Sequence, residues 1–310
     1  MNIKYSIIAP IYNELDNLPE LHKRVRDVMS TMDGNWELIL VDDGSTDGST
    51  DRIRELAAQD EHVRPVIFAR NFGHQVAITA GWDYARGEAV VIIDADLQDP
   101  PEVIPGMIEK WKEGYEVVYA VRAEREGETW FKKITAAAFY RIIYRITDVK
   151  IPVDTGDFRL MDRKVVNVLK VMRERHRFPR GMSAWVGFRQ VGVPYKRAAR
   201  HAGVTKYPFK KMLKLALNAI TGFSYFPLQM ATYVGFFAAA LSILAIPVVI
   251  IMRLAGHSAF LGQATTLIAV LFLGGVQLIS LGVLGEYIGR IYDEAKGRPL
   301  YIVREAPDEK

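Results

Sequence analysis

The 310-residue sequence has no cysteine. That absence excludes a disulfide framework, a thiolate zinc site and a cysteine nucleophile, and it fits a reducing, cytoplasm-facing location. Also missing are a Gly-x-Gly-x-x-Gly run after a strand and a Gly-Lys-Ser/Thr phosphate loop, which disfavours a nicotinamide oxidoreductase or a P-loop enzyme. Acidic residues are absent between Glu174 and Glu286, while twelve Lys or Arg occur there. Such a block must face something anionic, so the formal net charge of +4 understates the local field. Charge of either sign is missing from residues 215–252, and in residues 254–285 the only titratable group is His257. The chain does not open with a basic stretch followed by an apolar one, so no signal peptide is expected and the residues before the apolar stretches are expected to stay inside.

What is present follows from the same arithmetic. Half of the residues are hydrophobic and 25% are charged, which is unusual for one soluble globule; disorder and collagen-like repeats are excluded. The length leaves room for two units. Each uncharged stretch exceeds the roughly 20 residues needed to cross a bilayer. Pro227 and Gly256-His257-Ser258 read as boundaries, placing a transmembrane hairpin with spans at 228–252 and 261–284; buried core helices are the lesser alternative. Lys206, Lys210, Lys211 and Lys214 precede the first span, Arg290, Lys296 and Arg298 follow the second, and the connection offers only Arg253. The positive-inside rule then puts both ends in the cytoplasm. The expected division is a cytoplasmic domain over 1–207, an amphipathic juxtamembrane segment over 208–227, the hairpin over 228–285 and a cytoplasmic tail over 286–310.

Residues 4–11, 36–42, 63–69, 89–94 and 116–121 are short Val/Ile-rich runs separated by helical patterns such as 18–32 and 49–59. This βαβ series predicts an α/β fold with a mostly parallel sheet covered on both faces. Asn17 with Glu20 three residues on predicts a capping box. Residues 209–221 place Phe209, Leu213, Leu217 and Ile220 on one helical face, as in an interfacial helix held by lipid phosphates. Residues 130–146 mix aromatic, aliphatic and basic residues, and either rest on the membrane or pack on the sheet. Small residues in the spans, among them Gly235, Gly274 and Gly282, permit close packing, either into a homo-oligomer or of the hairpin on itself. Residues 299–303 have a strand-like composition that could join a neighbour's sheet.

In an open parallel sheet, ligands bind beyond the carboxyl ends of the strands. Here those ends are acidic: Glu14 after the first, Asp42-Asp43-Gly44-Ser45 after the second, and Asp94-Ala95-Asp96-Leu97-Gln98-Asp99 after the fourth. Convergent carboxylates repel unless a cation sits between them, and hard oxygen ligands suit Mg²⁺ or Mn²⁺. Asp94 and Asp96, two apart in an extended segment, are expected to point the same way. The cations cluster beside the membrane stretches, so lipid and phosphate explain them better than nucleic acid does.

These motifs, with Pro10-Ile11-Tyr12-Asn13-Glu14 and the two apolar stretches, resemble the polyprenyl-phosphate glycosyltransferases of glycosyltransferase family 2. The resemblance covers nearly the whole chain. It is strongest to bacterial undecaprenyl-phosphate glucosyltransferases of the GtrB type and more distant to dolichyl-phosphate mannose synthases. It implies a nucleotide-sugar-binding sheet of glycosyltransferase A type. Pro10, Tyr12, Glu14 and Asp42 would hold the base and ribose, Asp94, Asp96 and Gln98 would engage metal and diphosphate, and Arg122 and Arg125 would lie near the reacting phosphates. Asp157, in Asp154-Thr155-Gly156-Asp157-Phe158-Arg159-Leu160, is the catalytic candidate, as base or as positioner; its alternative is a turn carboxylate paired with Arg159. Arg177 and Arg180 would neutralise the diphosphate, and Arg200, Lys206 and Tyr207 would take the acceptor lipid phosphate.

The implied reaction is inverting transfer of one hexose from a nucleotide diphosphate sugar to polyprenyl phosphate. UDP-glucose is favoured over GDP-mannose or an amino-sugar donor. A processive polysaccharide synthase is disfavoured because no Gln-x-x-Arg-Trp occurs, and a catalytically silent membrane scaffold is the rival from another class.

Overall fold

The computed structural model describes residues 2–122, 155–197, 224–255 and 263–307. Expectations placed on 130–146, on 209–221 and on Arg125, Arg200, Lys206 and Tyr207 lie outside the described residues. The chain runs β1 (Ile3–Ile11), α1 (Leu18–Met29), β2 (Asn35–Asp42), α2 (Ser49–Gln59), β3 (Val63–Phe68), α3 (His74–Tyr84), β4 (Ala89–Ile92), α4 (Ile104–Lys112) and β5 (Val117–Arg122). It continues through β6 (Thr155–Asp162), α5 (Arg163–Val171), α6 (Pro179–Trp185), β7 (Gln190–Tyr195), α7 (Phe226–Leu254), α8 (Gln263–Ala295) and β8 (Val303–Glu305).

The eight strands form one sheet in the order β7-β5-β6-β4-β1-β2-β3-β8. Pairs β1/β2, β1/β4, β2/β3 and β5/β7 are parallel, whereas β6 runs against β4 and β5, and β8 runs against β3. The expected mostly parallel α/β sheet is therefore present, with two reversed strands. Strand pleating sends alternate residues to opposite faces. Ile7, Ile11 and Leu38 pack under α1, α2 and α4 on one face, and Ile8, Ile39 and Val41 under α3, α5 and α6 on the other. Against Ile8 the approach is close enough that a Cβ on Gly81 of α3 would lie 2.2 Å from the isoleucine Cγ2.

Two local expectations change, the Asn17 cap and the partner of the tail strand. Asn17 precedes α1 but makes no side-chain cap; its amide donates to Glu14 Oε2 at 2.6 Å, so no capping box forms. The second apolar helix runs on well past 284, carrying Glu286, Arg290, Asp293 and Glu294 before it ends at Ala295. The extra turns are held by an ion pair between Glu286 and Arg290 at 3.0 Å, and by Asp293 and Glu294 meeting His176 and the Arg175 N–H at 3.3 and 2.7 Å. Both helices are long and apolar enough to cross a membrane, and their apolar windows have no burial inside the protein. Pro227 sits inside the first turn of α7, where a missing N–H costs nothing. The tail strand joins the sheet of its own chain: Tyr301 stacks on Phe68 at 5.1 Å and donates to Asp83 at 2.8 Å, and Arg54 pairs with Glu305.

Candidate active site

Because only β6 and β8 are reversed, the carboxyl ends of β1 to β5 and β7 share one edge of the sheet with the amino end of β6. The register pairs Ile92 with Arg159, so the residues after β4 lie beside the start of β6, and His74 Nε2 comes within 3.6 Å of Asp94 and 3.3 Å of Asp157. The two carboxylates, far apart in sequence, thereby meet at His74.

On the β1–β2 side the loops lace together. Asn13, at φ 55°, donates its N–H to Ser45 Oγ at 3.0 Å and accepts from the Thr46 N–H at 2.8 Å; the Glu14 N–H donates to Ser49 Oγ at 3.0 Å. Pro10 is buried beneath this edge and Tyr12 stands out from it, 41% exposed. Asp42 is fully buried, with one oxygen accepting the Ser45 N–H at 2.9 Å and the other the Thr50 hydroxyl. It braces the loop from below. Its neighbour Asp43 accepts from the N–H groups of Phe72 and Gly73 at 2.6 and 2.9 Å; burial pushes its carboxyl up to about 6, against those donors. Between them and the next loop there is no space for a side chain: Gly44 has φ +70° and a Cβ there would lie 2.5 Å from the Arg70 carbonyl carbon.

The acidic run after β4 is not extended. The strand ends at Ile92, Ala95-Asp96 turn, and Leu97 takes φ 59°, so pleating does not align Asp94 with Asp96. Asp96 Oδ1 accepts the Gln98 N–H at 3.2 Å, and Gln98 Oε1 accepts from Arg197 at 2.9 Å. Asp99 is buried and accepts from the Tyr195 hydroxyl at the end of β7; burial raises its carboxyl against that bond. Arg122, closing β5, and Asp99 flank Gly156.

Asp157 lies within buried β6 and is no turn carboxylate. Arg159 points elsewhere, donating to Ser183 Oγ and the Gly156 carbonyl. Arg180, in the first turn of α6, grips Asp157 in a bidentate pair at 2.7 and 3.2 Å. His74 Nε2 at 3.3 Å and Gln75 Nε2 at 3.4 Å also reach Asp157 Oδ2. Burial alone would raise the Asp157 carboxyl, but Arg180 and His74 hold it well below the usual carboxylate range. His74 Nε2 also lies 3.6 Å from Asp94 Oδ1. Burial works to lower the imidazole pKa, yet the bond to Asp157 and the charge of both carboxylates raise it to about 9. Asp94 is pushed up to about 6, by burial first, with His74 opposing and the carboxylates of Asp99, Asp157 and Asp96 adding to the rise.

Among the described residues no group of three or more His, Asp or Glu side chains could hold a metal by itself. The donor chemistry nevertheless fits a divalent cation shared with substrate. Asp94 Oδ1 is buried without a hydrogen-bond partner, and Mg²⁺ commonly takes one or two carboxylates and fills its remaining positions with water and substrate phosphate oxygens.

Arg177, expected at the diphosphate, packs at the end of α5. Its guanidinium is buried, donates to the Met172 and Leu169 carbonyls at the end of α5, and lies over Trp82 at 5.8 Å. Trp82 and His74 are eight residues apart on α3, about 12 Å along the axis. Arg177 is thus a helix-end partner. The residues not legible in the sequence, His74 and Gln75, open α3 just beyond β3.

The model of the family described as glycosyl transferase family 2 matches residues 6–169, and that of the GtrB C-terminal hairpin matches residues 226–291. The latter holds most of α7 and α8 and marks a membrane protein. A Bacillus subtilis protein, uncharacterized glycosyltransferase YkcC, is 53% identical over 98% of this chain and 94% of its own length. The SfII prophage-derived bactoprenol glucosyl transferase of Shigella flexneri is 44% identical over 98% of both chains. Among solved structures, mannosyl-3-phosphoglycerate synthase from Rubrobacter xylanophilus is 17% identical with a TM-score of 0.48, over 71% of this chain and 72% of that one. With the first model matching more than half of its length and full-length relatives at this identity, the chain belongs to glycosyltransferase family 2.

Proposed function

We propose that the protein transfers one glucosyl unit from UDP-glucose to undecaprenyl phosphate, with inversion, at the cytoplasmic face of the membrane. The observation that carries this is the full-length likeness to a bactoprenol glucosyl transferase, which extends from the acidic strand ends through the hairpin. The clustered basic residues on both flanks of the hairpin support the cytoplasmic orientation and the division into a catalytic domain over 1–207, a juxtamembrane segment, a hairpin and a tail.

In this reading Tyr12 offers a face for the base, and Pro10 and Glu14 shape the pocket beside it. Asp94 and Asp96 would hold Mg²⁺ or Mn²⁺, which when bound neutralises charge growing on the leaving diphosphate. Arg180 and Arg122, with Arg125, supply positive charge to the same oxygens. Arg200, Lys206 and Tyr207 take the lipid phosphate. That phosphate needs little help to become a nucleophile: with a second pKa near ~6 it is mostly deprotonated at neutral pH. Asp157 then orients the sugar or acceptor, a role that its grip by Arg180 favours over proton abstraction.

The test is glycolipid formation by detergent-purified protein with undecaprenyl phosphate, a divalent metal and separate donors: UDP-glucose, UDP-galactose, UDP-N-acetylglucosamine and GDP-mannose. Product from UDP-glucose, lost in Asp96→Ala, is expected. Product only from another donor overturns the sugar assignment, and no product from any donor by folded, lipid-bound protein overturns the reaction in favour of a silent subunit.

A further inference from the structure

Arg180 has two anionic claimants. In the structure it is committed to Asp157, through Nε at 2.7 Å and Nη2 at 3.2 Å. A donor diphosphate presents several oxygens of higher charge density, suited to the same bidentate fork. If Arg180 were the sole tie, its turning to the donor would leave Asp157 a buried carboxylate without a partner, a costly and mobile state.

Two further donors to Asp157 answer this. His74 Nε2 stands 3.3 Å from Asp157 Oδ2 and 3.6 Å from Asp94 Oδ1. Both neighbours are carboxylate oxygens, which accept, so Nε2 carries a hydrogen. Gln75 adds a second donor at 3.4 Å to the same Asp157 oxygen. The support beneath them is rigid. The two N–H groups before His74, those of Phe72 and Gly73, are held by buried Asp43, and α3 is seated on β1 through Gly81. Groups held this way keep their geometry when a neighbour leaves.

We infer that His74 is a positioning residue for the transfer: together with Gln75 it holds Asp157 in place against Asp94 when Arg180 turns to the donor diphosphate. The inference rests on the proposed reaction, and its failure is separable from the failure of that reaction. Wild-type protein that binds donor and forms no glycolipid refutes the reaction itself.

The experiment uses the full chain in detergent, with His74→Ala, His74→Gln, Asp157→Asn and the double variant His74→Gln/Asp157→Asn. Steady-state rates, UDP-glucose affinity by calorimetry and the thermal unfolding midpoint are measured for each. His74→Ala should lower kcat about 100-fold and His74→Gln, which keeps a donor, about tenfold, with UDP-glucose affinity and the His74→Gln midpoint unchanged. The double variant should be no more than about twofold slower than Asp157→Asn, because both changes remove one interaction. The inference is overturned by a wild-type kcat in both single variants, by effects that multiply in the double variant, by donor affinity falling in step with kcat, or by a midpoint in His74→Gln that falls with activity.

Discussion

Replacing Asp157 by Asn separates the two roles open to this carboxylate. The side chain accepts from Arg180 twice, from His74 and from Gln75. Asparagine keeps the oxygen that faces Arg180 Nε, but its NH₂ then meets the N–H groups of His74 and Gln75, donor against donor. Each charge-assisted bond is worth about 1.5–3 kcal/mol, part of which is returned by no longer burying a charge. The net result is a side chain displaced by a fraction of an ångström to about 1 Å, and misplacement of that size lowers a rate by up to about 100-fold. Proton abstraction makes a different forecast. At pH 7.5 a phosphate monoester with a second pKa near ~6 is about 97% deprotonated, so a base has almost nothing to remove. The expected outcome for Asp157→Asn is therefore a 10- to 100-fold loss in kcat, about 1.4 to 2.7 kcal/mol, with the pH profile flat from about 7 to 8.5 in both proteins. Initial rates of glycolipid formation across that range provide the assay. A loss beyond about a thousandfold, or a wild-type rate that climbs tenfold per pH unit and levels in the variant, would refute the argument.

Removing divalent metal with EDTA should abolish transfer and weaken donor binding, and Mg²⁺ or Mn²⁺ should restore both; undiminished turnover in EDTA counts against the metal assignment. Arg177→Met should cost about 1–3 kcal/mol in unfolding free energy while kcat/KM of the folded protein stays at the wild-type value; a selective loss of donor affinity would return Arg177 to the diphosphate. Gly81→Ala, whose Cβ would stand 2.2 Å from Ile8 Cγ2, should destabilise by about 1–3 kcal/mol and lower kcat as α3 lifts; unaltered unfolding with full activity would contradict this packing. Asp60, braced by His22 and by the N–H and ring of His62, has its carboxyl held at about 2 although burial opposes this. Its unfolded value is near ~3.9, so its contribution of about 2 kcal/mol is present above pH 4 and vanishes as pH falls through 2. Urea titrations of Asp60→Asn and wild type should differ by that amount at pH 7 and converge below pH 2, and a constant difference would contradict the sign.

The sequence displays the strands that obey a simple period. Residues 4–11, 36–42, 63–69, 89–94 and 116–121 are dense in Val and Ile because they are buried on both faces, and each lies within a residue or two of β1 to β5. β6 stays hidden for the opposite reason. It carries Asp157 and Arg159 at buried positions alternating with Phe158 and Leu160, so it lacks the Val/Ile-rich run of the other strands, and those charges are met across the fold by Arg180, His74 and Ser183. Candidate site residues at the ends of legible strands are correspondingly legible in position: Asp94 and Asp96 follow β4, and Arg122 closes β5. Arg177 and Arg180 show the limit. Three positions apart in one basic run, they differ only in what α5 and α6 bring beside them, a pair of orphan carbonyls for the first and a buried carboxylate for the second.

The uninterrupted course of α8 makes it a ruler. Its 33 residues measure about 50 Å, of which the apolar part to Gly285 takes about 35 Å. The remaining turns end where Asp293 and Glu294 grip His176 and Arg175, on the loop that leads directly into Arg180. Under the proposed membrane hairpin, helix length sets the height of the candidate site above the bilayer, and helix phase sets its heading. One added residue between Glu286 and Asp293 would swing the gripping face by about 100° and raise it by about 1.5 Å, losing both contacts together. Seven added residues would nearly restore the face but lift the domain by about 10 Å, beyond the span of a phosphate and its first carbons. The distance at which a lipid phosphate is met is written in a count of residues far from any strand end.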